Sequence, residues 1–272
     1  MRLLRAELLK LVRRPATYVV LVVLLAVIAL FYLALGASAS AGGNVGNGGD
    51  ARLQVRLLLA YPNSYHVLLG IVLSFGGLLA VAYGASVSGA EWAWGTIRTV
   101  IARGESRPRY AVLKFVAVAL MLAAGVVIAF AVGAALSLVA AGMAGAPTDG
   151  AFSTETLSDL PQLLARTWLG IAEEASVGFA IAMLFRSQLA GIGAGLALYF
   201  VEIFLALVPA AADYLPYLPF NVAQAVVSSG QGVEGGSSAR LDSPTALLLA
   251  AVYLVVAVAI SAVAVWRADI TA

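Results

Sequence analysis

Apolar residues fall into six long, nearly uninterrupted runs: Thr17–Leu35, His66–Ser88, Ala111–Ala141, Leu164–Phe185, Leu189–Ala210 and Pro244–Trp266. A hydrocarbon core about 30 Å thick is crossed by roughly 20 helical residues rising about 1.5 Å each. Inside lipid only a segment that satisfies its own backbone is stable, so each run predicts a helix. The pattern predicts an all-α membrane protein, with six transmembrane helices in a single transmembrane domain covering residues 1–272. The third run is longer than a span needs, which predicts tilt, a kink or projection beyond the membrane. At the last run, Asp242 or Ser243 is placed to cap the helix and Pro244 fits its first turn.

The segments between the runs carry their own patterns. Over residues 2–14, Leu4, Leu8, Leu11 and Val12 gather on one helical face, and Arg2, Lys10, Arg13 and Arg14 spread over the other. This predicts an amphipathic interfacial helix, apolar face in the lipid and arginines near anionic headgroups, ended by Pro15. After the glycine-rich stretch Gly42–Gly49, Asp50 is placed to cap a short helix over 51–60. Residues 211–227 are apolar yet broken by Pro216 and Pro219, which predicts a re-entrant external segment of short helices before the last span. The small-residue stretch Gly36–Ala41 resembles a signal cleavage site, but an apolar stretch of 18 residues, Tyr18–Leu35, exceeds the roughly 7–15 of a signal peptide, so the first span is expected to stay.

Composition narrows the class further. The 272 residues are 62% hydrophobic and 11% charged with a mean hydropathy of +0.98, unlike the roughly 25% charge of soluble domains. Zero cysteines exclude disulfides and thiolate chemistry, and one histidine, His66, excludes paired-histidine metal or haem ligation. A net charge of +2 points to no nucleic-acid partner. Twelve basic residues (Arg2, Arg5, Lys10, Arg13, Arg14, Arg98, Arg103, Arg107, Arg109, Lys114, Arg186, Arg267) fall on one side of the six spans and four on the other. The positive-inside rule then places both termini in the cytoplasm of a multi-pass cell-membrane protein.

Three groups of residues carry candidate chemistry. The first follows the second span, where Glu91-Trp92-Ala93-Trp94-Gly95-Thr96-Ile97-Arg98 reads as a short charged and aromatic helix over about residues 90–100. Glu91 and Arg98 lie two turns apart on one side, Gly95 permits close backbone approach, and exposed tryptophan with arginine is the composition of a docking hot spot. The second group is acidic: Glu173, Glu174 and Glu202 interrupt the fourth and fifth spans at similar depth. Ionisable residues there are functional candidates by default, here for a translocation pathway. Only one of the adjacent Glu173 and Glu174 is expected to face such a path, with hydrogen bonding to Ser176, Tyr199 or backbone as the structural alternative. The third group is Gly191 and Gly195, a GxxxG spacing that suits a protomer–protomer seam or packing within the chain. No phosphate-binding Gly-x-x-x-x-Gly-Lys-[Ser/Thr] loop occurs, so any ATP dependence must come from another polypeptide.

The pattern Glu91-x-x-x-Gly95-Thr96-Ile97-Arg98, then Ser106-Arg107-x-x-Tyr110 and Lys114 at the start of the next span, resembles the permease subunits of ATP-binding-cassette exporters of the ABC-2 type. Six spans, an amphipathic N-terminal helix and a hydrophobic last external loop are similar to that family along essentially the whole chain. The resemblance implies that Glu91, Gly95, Thr96 and Arg98 form a cytoplasmic coupling helix docking on a separate nucleotide-binding subunit, with Trp92 and Trp94 at the contact. It also implies two permease protomers, expected to be identical, and two ATPase subunits carrying ATP and Mg, with no cofactor or metal on this chain. By that reading the chain is not itself an enzyme, and its substrate is a drug, peptide, lipid or ion. A non-transporting scaffold or immunity subunit and an ion-gradient-driven transporter are the alternatives. Intramembrane CAAX-type proteases use Glu-Glu-x-x-x-Arg with histidines; Gly178 at the arginine position and the lone His66 stand against that chemistry.

Overall fold

The computed structural model describes residues 2–40, 48–97, 106–228 and 241–268. Its helices are α1 (Arg2–Val12), α2 (Pro15–Ser40), α3 (Gly48–Leu59), α4 (Asn63–Ala93), α5 (Arg107–Ala144), α6 (Thr154–Phe185), α7 (Gln188–Leu205), α8 (Pro219–Ser228) and α9 (Ser243–Trp266). The described residues hold no β-strand. Six helices (α2, α4, α5, α6, α7 and α9) are long and apolar enough to cross a membrane, and the chain is a multi-pass membrane protein.

Burial separates two inner spans from four outer ones. The apolar stretches of α4 and α6 are 61% and 67% buried, and those of the other four are only 17–33% buried. The outer helices expose Val19, Val22 and Leu30 of α2, Leu198 and Phe204 of α7, and Leu248 and Val255 of α9, the surface that lipid covers. The inner pair packs backbone against backbone because glycines remove the side chains between them. A Cβ on Gly84 would collide with the Ala175 carbonyl, and one on Gly178 with the Val81 carbonyl. Small residues at the seam are the usual route to close helix approach in lipid.

Helix ends follow local chemistry. Pro15 occupies the first turn of α2, and the Thr17 hydroxyl donates to the Leu11 carbonyl at 2.8 Å, tying the end of α1 to the start of α2. The third run extends into a 38-residue helix, α5, which Gly145 ends at φ 62°. Ser153 caps α6 by accepting from the Thr156 amide, and Asp242 holds the cap position of α9 with Pro244 in its first turn, as expected. Arg186 and Ser187 alone connect α6 to α7, Arg186 at φ 52° and Ser187 capping α7 through the Ala190 amide.

Three expected boundaries move, and the segment before the last span takes the short helical form expected of it. The fourth span starts ten residues earlier as a helix, at Thr154 rather than Leu164, because Pro161 sits within it without ending it. The fifth ends at Leu205 rather than Ala210, since Pro209 opens a separate 3₁₀ turn, Pro209–Ala211. The helix after the first external loop begins at Gly48, so Asp50 lies inside its first turn and not at its cap. The apolar segment before the last span forms two 3₁₀ turns and α8, whose Phe220, Val222, Ala223, Val226 and Val227 are buried against α6 and α9.

Candidate functional site

The helix expected over residues 90–100 is not continuous. α4 carries Glu91, Trp92 and Ala93 in its last turn, and the chain breaks at Trp94–Gly95, where Gly95 takes a left-handed φ of 66°. Among the described residues, apart from its chain neighbours, nothing lies within 4 Å of where a Gly95 Cβ would stand, so the left-handed turn is what this glycine serves. Helical backbone resumes at Thr96–Ile97, and Arg98 lies outside the described residues. Glu91 and the resumed helix therefore belong to different segments, and the expected pairing of Glu91 with Arg98 on one face lies outside the described residues.

The two tryptophans part company at this break. Trp92 is half-buried against the core around Phe115, Phe179, Met183 and Val265, with the Arg186 guanidinium 5.2 Å over its ring. Trp94 is 71% exposed, with the Arg14 guanidinium 5.5 Å from its ring centre. Arg14 also donates to the Ser86 carbonyl at 3.2 Å, so the elbow between α1 and α2 is fastened to α4 beside the turn. Such cation–π contacts contribute about 0.5–1 kcal/mol at exposed sites.

Glu91 points inward, so its carboxylate is engaged within the chain. Its carboxylate accepts from Lys114 Nζ at 2.7 Å, from Thr96 Oγ1 at 3.0 Å and from the Tyr110 hydroxyl. Lys114 is also paired with Glu7 at 3.1 Å, and Lys10 bridges Glu7 at 2.7 Å and Glu91 at 3.8 Å. Two acids and two bases thus balance at the meeting of α1, α4 and α5. Burial draws the Lys10 ammonium down, but its hydrogen bond to Glu7 and the charges of Glu91 and Glu7 outweigh that and hold its pKa above the ordinary lysine value. Three titratable members of the quoted motif, Glu91, Tyr110 and Lys114, close into one network, whereas Arg107 donates to the Ala268 carbonyl at 2.8 Å. Glu7 completes the network. Sequence reading passed over Glu7, although an acid at the edge of the Leu4–Leu8–Leu11 face was a visible cue.

The acidic group of α6 and α7 is built differently. Glu173 and Glu174 are both fully buried. Their expected partners are committed elsewhere: the Ser176 hydroxyl donates to the Glu173 backbone carbonyl at 2.6 Å, and the Tyr199 hydroxyl to the Ser74 carbonyl at 3.1 Å. None of the four carboxyl oxygens of Glu173 and Glu174 has a hydrogen-bond partner among the described residues. The Glu174 carboxyl fills the space where a Cβ on Gly77 of α4 would stand. Glu202 is also buried but satisfied: it accepts from the Phe220 amide at 3.4 Å, the Asn221 amide at 3.1 Å and Asn221 Nδ2 at 2.8 Å. It therefore caps α8, where unpaired amides and the helix dipole favour a carboxylate.

Gly191 and Gly195 serve packing within the chain. A Cβ on Gly191 would strike Ala182 of α6, and one on Gly195 would press on Val81 of α4. They seat α7 on the inner pair, the packing within the chain that is one of the two expected uses of this spacing. His66 is half-buried with an Nδ1 that has no hydrogen-bond partner among the described residues, beside Glu155 and Asp159 in a cavity of about 330 Å³. Among the described residues no three acidic, histidine or cysteine side chains converge as a metal site.

Residues 53–271 match the family described as Protein of unknown function (DUF2705). That match covers most of the chain, which belongs to this family. No curated protein matches it.

Proposed function

We propose that this member of a family without assigned function is the membrane-spanning permease subunit of an ATP-driven exporter of the ABC-2 type. In this reading both termini are cytoplasmic, the protein sits in the cell membrane with a second permease copy, and two ATPase subunits bind ATP and Mg. The apolar segment that ends in α8 is then the re-entrant external piece. The observation that carries the reading is the turn at Trp94–Gly95. An exposed tryptophan, flanked by Arg14, stands on a turn whose base is held to α1 and α5 through the buried Glu7–Lys10–Glu91–Lys114 cluster. A force at Trp94 therefore reaches α4, one of the two inner spans, without being lost in a soft loop.

Mechanistically, ATP shifts the membrane domain by as much as its affinity differs between two conformations. The ATPase subunits supply the hydrolysis; this chain supplies the pathway and the lever. Trp94 provides the contact, Glu91 and Lys114 anchor it, and Glu173, Glu174 and Glu202 line the path. The test is purification of the tagged full chain from its native membrane, followed by identification of any nucleotide-binding ATPase that comes with it. We expect a stoichiometric complex whose substrate-stimulated ATP turnover falls at least tenfold in Trp94→Ala, the order of a single interface hot spot. Transport by the purified chain alone, without nucleotide, would overturn the reading. The buried acid pair favours the second one, transport driven by an ion gradient, and that same outcome would establish it.

A further inference from the structure

We infer that Glu173 and Glu174 form a binding site for a small monovalent cation. The inference rests on a contrast between two buried charge clusters. At Glu7, Lys10, Glu91 and Lys114 every carboxylate is matched by a base and each is hydrogen-bonded. At Glu173 and Glu174 both carboxyls are fully enclosed, and all four oxygens lack a partner among the described residues.

Among the described residues, no base approaches from the surrounding elements. α7 contributes Glu202 and Tyr199, both close enough to act electrostatically on Glu174, and α9 contributes Tyr253, which acts on Glu173. α8 carries no charged residue, α4 has none between His66 and Glu91, α2 has none, and α5 has none beyond Lys114. On α6 itself Arg166 and Arg186 lie seven and twelve residues away, roughly 10 and 18 Å along the helix. Carboxylates crowded together out of water demand a compensating positive charge, and the described residues offer none here. What is enclosed with them must be small, which selects a proton or a bare alkali-metal ion over an organic cation. The site is a property of this chain at equilibrium and needs no ATPase, so its fate is separate from that of the exporter reading.

The experiment uses the full purified chain in lipid nanodiscs, as wild type, Glu173→Gln, Glu174→Gln and the double variant. Infrared difference spectra between acid and alkaline pH test the proton. Thermal midpoints in rising Na⁺ or K⁺, with choline holding ionic strength constant, test the metal ion. A protonated-carboxyl band lost in the double variant identifies the proton. A midpoint rise of several degrees with Na⁺ or K⁺, lost in the double variant, identifies the metal ion through linkage between binding and stability. Neither response in wild type, or either response retained in the double variant, overturns the site. Should the double variant fail to fold, the single variants decide: each must weaken the wild-type response, and full retention in both overturns it.

Discussion

Glu202 combines two roles, cap of α8 and neighbour of the buried acid pair, and substitutions separate them. Glutamine keeps a carbonyl oxygen for the Phe220 and Asn221 amides; alanine removes the acceptor altogether. We expect Glu202→Ala to lose about 1 kcal/mol at the α8 terminus, seen as faster hydrogen exchange at those two amides, and Glu202→Gln to leave exchange near wild type while lowering transport. Normal export by Glu202→Gln would make the residue purely structural. The acids themselves were legible in the sequence because a carboxylate inside an apolar run is conspicuous. Their partners were not, because partnership depends on which helix faces which: Gly77, which makes room for Glu174, lies 97 residues earlier in the chain.

Among the elements, the joint of α1, α4 and α5 is the sharpest test of packing energetics. Lys114 is buried between Glu7 and Glu91, so Lys114→Ala leaves two buried acids without their shared base. Removing one partner from such a cluster costs about 3–5 kcal/mol, whereas half-exposed Lys10→Ala should cost under about 1 kcal/mol. Thermal unfolding of the two variants in one detergent checks the ordering; equal losses would mean the cluster is solvated. The six spans themselves were readable from run length, since about 20 apolar residues specify a crossing whatever surrounds them. Element ends were less so. Pro209 ended α7 where an apolar run continued, Pro161 did not end α6, and the break at Gly95 depends on a backbone angle that a spacing pattern does not encode.

For the whole molecule, the absence of cysteine makes sidedness directly measurable. A single cysteine at Trp94 should react with a membrane-impermeant maleimide only after the cytoplasmic face is opened, and one at exposed Tyr214 should react from outside in intact cells. The reverse pattern would invert the topology and remove the docking reading with it. The fused seam of α4 and α6 has a larger consequence. With Gly84 and Gly178 bringing main chain onto main chain, that pair has no layer of side chains on which to slide. Any alternation between inward and outward openings must then be hinged at the perimeter, with α2, α5, α7 and α9 swinging around a central mast that stays whole.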